Sequence, residues 1–275
     1  MTTAANSEGP SFSARSVALS LLLGTHPPRL STSVLVESGS LFGINAGTMR
    51  TALSRMAAKG EVAPTAHGYE LAGPLIERQM RQDLGRRSPT TQWDGRWYSV
   101  TSLHAARELA DRRDLRRRLK RAGFGELRPN YWLRPANRDL PDLGSGLLVT
   151  SGELLVEDLD TLVKRLWPLA SLESEATRLL SETRRLAGRE ADLLSPDGAD
   201  DLGRWLVETF TVSADIIRFL TREPRLPPSL VAQPWAPDVL RHDYSGLERL
   251  FQRHLARFLR RQQAATSPEG AESHR

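Results

Sequence analysis

The side chains in this sequence that could do chemistry are arginines and small hydroxyls rather than nucleophiles or metal ligands. There is no cysteine, which removes thiolate catalysis, disulfides and cysteine-based metal sites. The six histidines, His26, His67, His104, His242, His254 and His274, are scattered, and no two lie four apart as paired ligands on one helix face would. No glycine-rich phosphate loop of the Walker type is present, and no Gly-x-Ser-x-Gly turn that would expose a nucleophilic serine. The acidic run Glu157 to Asp160 reads as a helix start favoured by the dipole rather than a metal site. These patterns imply binding rather than catalysis, with no cofactor and no metal.

The stretch that does suggest a partner is NAGTMRTALSRMAAKG, Asn45 to Gly60. On a helix, Met49, Ala52, Leu53 and Met56 fall at spacings of three and four and make one apolar stripe. Arg50, Thr51, Ser54 and Arg55 take the opposite side, with Thr48 near its start. A surface helix without a partner usually carries long charged side chains in several i to i+4 pairs. This face is slim instead, which lets the backbone come close to another body. The DNA major groove, about 12 Å wide, accepts such a helix. Hydroxyls there reach phosphates or base edges, and arginine grips guanine with two hydrogen bonds.

The elements that would position this face are legible around it. SARSVALSLLLG reads as a helix ended by Gly24, and STSVLVESGSLFG as a second, with Ser31 or Ser33 as its cap and Gly43 as its stop. Asn45 is the expected cap of the third helix. EVAPTAHGYELA then alternates like a short hairpin, and PLIERQMRQDLGRR reads as a linking helix. Three short helices followed by a hairpin is the layout of a winged helix-turn-helix, whose last helix enters the major groove.

Beyond it, RWYSVTS reads as a strand, residues 105–122 as a helix, NYWLRPA and GLLVTSGELLV as strands, and 158–164 as a helix, the order of a ferredoxin-like unit. The remainder is helical by period, with Pro224, Pro227 and Pro228 fixing a turn. The expected fold class is therefore α+β. A winged helix-turn-helix with its linker helix occupies 11–87, a ferredoxin-like middle domain 88–167 and a helical C-terminal domain 168–262. Residues 1–10 and 263–275 are expected to be disordered tails.

Charge sharpens the expectation. Residues 1–88 carry nine Lys and Arg against six Asp and Glu, and residues 89–150 carry twelve against seven, whereas the rest carries seventeen against twenty. A basic front half points to an anionic partner. The helix at 105–122 is especially basic, with Arg107, Arg112, Arg113, Arg116, Arg117, Arg118, Lys120 and Arg121 around a stripe of Leu109, Leu115, Leu119 and Ala122. Its cations would hold phosphates, of DNA or of a small ligand, or simply pair with Glu108, Asp111 and Asp114. Trp93, Trp97, Tyr131 and Trp132 would stack an aromatic group or fill the core beneath a sheet. No uninterrupted apolar run is long enough to span a membrane, and the N-terminus does not read as a signal peptide, so a cytoplasmic protein is expected.

GINAGTMRTALSRMAAKGEV resembles the recognition segment of the PaaX family of bacterial transcriptional regulators, named for the phenylacetic acid degradation repressor. WDGRWYSV and LRRRLKRAGFGELRPNYWLRP are similar to that family in the same order, as is FLTREPRLPPSLVAQPW, so the resemblance covers about residues 12 to 260. It implies a homodimeric repressor of a catabolic operon that binds double-stranded operator DNA through the winged helix. It also implies a middle domain like the ferredoxin-fold subunit of CRISPR spacer integration, and release from DNA by a small effector, an acyl-CoA thioester such as phenylacetyl-CoA. The DNA-reading positions it implies are Arg50, Thr51, Ser54 and Arg55; Thr48 is added from helix geometry. The effector-binding residues are not implied.

The sequence departs from the family in two places. Its hairpin VAPTAHGYEL offers only His67 where several Arg or Lys are usual, and Leu230-Val231-Ala232 and Trp235-Ala236-Pro237 replace Leu-Leu-Pro and Trp-Pro-Gly. Two other functions remain open to such a chain. One is a metal-dependent nuclease acting through the ferredoxin-like domain, although the first strand ends VTSLH without a carboxylate. The other is an architectural DNA-binding factor without an effector.

Overall fold

The computed structural model of the protein describes residues 12–87, 92–103, 109–195 and 199–266. The expected N-terminal tail and Arg107 and Glu108 of the basic helix lie outside these residues. Helices predominate and the strands form two separate antiparallel sheets, which is the α+β class read from the sequence. The chain divides into two compact units, one of Met1–Arg81, Leu186–Ala214 and Leu247–Arg275, the other of Gln82–Arg185 and Asp215–Gly246. The helical C-terminal segment thus contributes residues to both.

The first unit begins with α1 (Ala14–Leu23), β1 (Arg29–Ser31), α2 (Thr32–Ser40) and α3 (Ala46–Ala58), followed by β2 (Val62–Pro64), β3 (Gly68–Leu71) and α4 (Pro74–Arg86), whose last residues belong to the second unit. Each of the first three helices starts on a polar side chain that satisfies an otherwise orphaned amide. Ser13 accepts from the Ser16 amide at 3.1 Å, Ser31 from Val34 at 3.2 Å and Asn45 from Thr48 at 2.8 Å. The turn from α2 to α3 is held by Phe42, whose ring lies 4.7 Å from Phe210 and 5.3 Å from Phe12.

Strand β1 is an addition to the expected hairpin. It pairs with β3 in a sheet ordered β1-β3-β2, and its three residues are too few to show alternation. Its last residue, Ser31, is also the cap of α2. Only glycine fits at position 68, since a Cβ there would stand 2.0 Å from the Leu30 carbonyl oxygen. Val17, Leu22, Leu35, Met49 and Leu53 are fully buried beneath this layer, and Leu186, Trp205, Leu206 and Leu247 from the C-terminal part complete the same core. The Trp205 indole donates to the Leu186 carbonyl at 3.1 Å, satisfying the polar atom of an otherwise apolar centre.

The second unit holds β4 (Trp97–Ser102), α5 (Leu109–Arg121), β5 (Gly125–Arg128), β6 (Tyr131–Pro135) and β7 (Leu147–Gly152), then α6 (Leu159–Leu166) and most of α7 (Leu169–Ala187). Its sheet runs β5-β6-β4-β7, antiparallel throughout. Alternation along the strands builds two cores. Val100 and Trp132 join Leu115, Leu119 and Phe124 in one, while Trp97 and Leu133 join Val163, Leu166 and Trp167 in the other. After α8 (Glu190–Leu194), α9 (Ala199–Arg222) and α10 (Ala236–Thr266) are joined by a proline-rich turn whose carbonyls are tightly used. Arg138 donates to the Pro224 oxygen at 2.9 Å and Asn137 to the Arg225 oxygen at 2.8 Å. Glu223, in the same turn, pairs with the buried Arg241 at 2.7 Å.

Candidate nucleic-acid interface

Helix α3 carries the candidate surface, and its two sides have opposite fates. Met49 and Leu53 are 0% exposed and Met56 is 1%, so three of the four stripe residues anchor the helix, while Ala52 is half-buried at the stripe's edge. Thr48, Arg50, Thr51, Ser54 and Arg55 are all exposed. The helix contains no acidic residue, and among the described residues no carboxylate pairs with Arg50 or Arg55. A close approach to α2 fixes how the helix is presented: a Cβ at Gly39 would lie 2.8 Å from the Met49 terminal methyl. The face is therefore rigidly mounted and chemically uncommitted.

An open groove runs beside it, lined by Ser13 and Arg15 from the start of α1 and by Asn45, Thr48, Thr51 and Arg55 from α3. Two helix N-termini border this groove, and amide dipoles there favour negative charge. Arg15 is not free to serve a ligand. Its guanidinium donates to both carboxylate oxygens of Glu61, at 2.9 and 2.7 Å. That bidentate hydrogen bonding holds the Glu61 carboxyl below the usual range and raises Arg15. Nothing in the spacing of residues 15 and 61 signals this pair. The one hint is a cation in the first turn of α1, where the dipole disfavours it.

The hairpin tip, residues 65–67, is exposed and closes through a 2.9 Å bond from the Thr65 amide to the Gly68 carbonyl. Arg29 on β1 is exposed as well and lies in register with Glu70 of β3. The sequence offered no means of placing Arg29 beside the hairpin, because β1 is invisible to pattern reading.

The aromatic set of the second unit does not converge on one pocket. Trp97 and Trp132 lie on opposite faces of the sheet, 2% and 3% exposed, and Trp93 packs edge-on to Trp97 at 5.7 Å. They act as core. Asp158 caps α6 by accepting from the Thr161 amide at 3.0 Å and the Thr161 hydroxyl at 2.6 Å, and these bonds lower its carboxyl. Among the described residues no group of three or more His, Asp or Glu side chains could hold a metal, and no helix is long and apolar enough to cross a membrane.

Comparison with known proteins matches these parts of the chain to one family. The family described as PaaX-like protein matches residues 13–75, and the family described as PaaX protein central Cas2-like domain matches residues 90–143. The chain is also similar to a solved structure, uncharacterized protein Rv0674 from Mycobacterium tuberculosis, at 30% identity and a TM-score of 0.69, over 90% of this chain and 98% of that one. No curated protein matches.

Proposed function

Since the chain belongs to the PaaX family of transcriptional regulators, we propose that it is a sequence-specific DNA-binding regulator whose helix α3 reads an operator duplex. The observation that carries this reading is the exposed, acid-free face of Thr48, Arg50, Thr51, Ser54 and Arg55 on a helix whose other side is anchored by buried Met49, Leu53 and Met56. α1 to α3 with the β1-β3-β2 sheet form a winged helix-turn-helix, in which α3 is the recognition helix and the β2–β3 hairpin the wing. With His67 as its only titratable tip residue, that wing contributes little charge, so within this unit the contacts rest on α3 and on backbone amides at the helix starts. The β5-β6-β4-β7 order, with α5 crossing between β4 and β5, supports a ferredoxin-like middle domain.

The regulator acts as a cytoplasmic homodimer, in this reading a repressor of a catabolic operon. The outer edge of β7 supports a meeting of two copies, because its ladder groups face away from the sheet and Leu148, Leu155 and Val156 beside it are exposed. Two α3 helices then occupy major-groove faces about 34–36 Å or a multiple apart on a near-palindromic site. A small effector, an acyl-CoA thioester of the phenylacetyl-CoA kind, releases the DNA by binding more tightly to the conformation that misplaces those helices. The protein itself is not an enzyme and needs no cofactor.

The test is binding to mapped genomic sites by wild-type protein and Arg50→Ala. If Arg50 reads a base, the variant loses about 1–3 kcal/mol, concentrated at one operator position. A uniform loss across all sequences with a shallower salt dependence reassigns Arg50 to a phosphate. An unchanged affinity on every site removes α3 from the interface.

A further inference from the structure

We infer that α5 is a second nucleic-acid surface, one that takes the phosphate backbone of duplex DNA without regard to sequence. The inference rests on the DNA-binding reading above but on a different element and a different kind of contact. α5 carries seven Lys and Arg against two Asp in thirteen residues, a net charge equal to the +5 of the whole chain. Arg113, Arg116, Arg117, Lys120 and Arg121 stand at i, i+3, i+4, i+7 and i+8, the spacing by which an amphipathic helix gathers an apolar stripe. Here it gathers cations, on the side away from Leu115 and Leu119, which are buried in the sheet's core.

This arrangement opposes the helix's own stability. Arg113 with Arg117, Arg116 with Lys120, and Arg117 with Arg121 are like charges four residues apart, and each such pair weakens a helix. The local acids do not offset them. Asp114 holds Arg117 at 3.0 Å and Arg118 at 3.5 Å, and Glu126 of β5 holds Arg116 at 2.9 Å. Among the described residues Arg113, Lys120 and Arg121 have no acidic partner. A solvated helix without a partner interleaves its signs. The helix dipole favours Lys120 and Arg121 in the last turn, but the stripe as a whole keeps an unbalanced positive charge that an external anion would cover.

Shape decides which anion. The ion-paired Arg116 and Arg117 are still 56% and 66% exposed, and the stripe follows a convex helix face. A small phosphate ligand is held by groups converging on a concave site. A helix of thirteen residues is about 20 Å long, and that length of duplex presents roughly one phosphate charge per 1.7 Å. The extended row of cations matches the extended row of phosphates.

The test is anisotropy binding of the full chain to an operator duplex and to a scrambled duplex of equal length, at roughly 50 to 200 mM salt. The variants are R113Q/R117Q/K120Q/R121Q, its two halves R113Q/R117Q and K120Q/R121Q, and the conservative R113K/R117K/R121K. The expected result is weakening of both duplexes by the same factor, on the order of tenfold or more, with a salt slope shallower by about 0.9 for each phosphate contact removed. The halves give intermediate slopes, and the lysine variant keeps the wild-type slope. An unchanged slope in folded neutral variants overturns the inference while leaving α3 as reader. Free coenzyme A raising the Tm of wild type but not of the quadruple variant, with slopes equal, also overturns it in favour of a small phosphate ligand. Wild-type binding to neither duplex fails the DNA-binding reading itself.

Discussion

Met49 and Arg50 are neighbours in the chain and are separated by about 100° around α3. That rotation alone puts one at 0% exposure against Gly39 of α2 and leaves the other in solvent. Stability and binding should therefore separate at adjacent positions. Met49→Ala removes most of a fully buried side chain and is expected to cost about 2–5 kcal/mol, read from the denaturation midpoint. Arg50 has no ion-pair partner among the described residues, so Arg50→Ala should stay within about 0.5 kcal/mol of wild type, even as operator binding falls. Equal destabilisation by the two changes would make Arg50 a structural residue. Arg15 shows the converse case: a cation bordering the same groove that is already committed, through two hydrogen bonds, to Glu61.

At the scale of elements, the parts that can be read from the sequence are those whose information is local. α3 announces itself by its 3.6-residue period, its Asn45 cap and its flanking glycines, so its outward face could be named from residue types alone. Strands β1 and β5 have three and four residues, too few for alternation, and both exist because longer partners offer them a ladder. The proline-rich turn after α9 reads as a simple stop, yet its role is long-range. Glu223 is buried against Arg241, while Arg138 and Asn137, some 86 to 88 residues away in sequence, bind the next carbonyls. Burial pushes the Arg138 guanidinium down to about 9 and Arg134 down to about 10, so both remain cationic at neutral pH. Glu223→Ala leaves Arg241 without its closest buried carboxylate. The expected cost is toward the lower end of about 3–5 kcal/mol, since Arg241 keeps Asp238 and the Gly85 carbonyl. The double change Glu223→Leu, Arg241→Met should recover much of that loss in urea melts; a double change as unstable as the single one would argue against the ion pair as the cause.

At the scale of the molecule, the three small helices do not make a core alone. Their apolar sides close against Trp205 and Leu206 of α9 and Leu247 and Leu250 of α10, so a perturbation near the chain's end reaches the layer that mounts α3. His254 lies in that shared layer, 3% exposed, with its ring 5.3 Å from Trp205 and, among the described residues, no hydrogen-bond partner for its Nδ1. Burial lowers its pKa, Arg257 and Arg253 add to that effect, and Glu190 opposes it. The folded state therefore takes up a proton at lower pH than the unfolded chain, whose histidine titrates near 6.5. Above that value both states are neutral and His254 contributes no pH dependence. As pH falls below it the unfolded chain is protonated first, so stability declines until the folded-state pKa is also passed. Glu61 and Asp158, whose carboxyls are lowered, act in the acidic range beneath that window, where protonation removes their stabilisation. The Tm of wild type is expected to drop from about pH 6.5 downward, and His254→Leu to flatten the upper part of that decline while leaving the carboxylate part intact. A variant whose profile runs parallel to wild type between those regions would mean that the proton is taken up elsewhere. Operator affinity measured across the same range should follow the stability profile only where the layer beneath α3 has begun to loosen, because α3 itself contains no histidine or carboxylate.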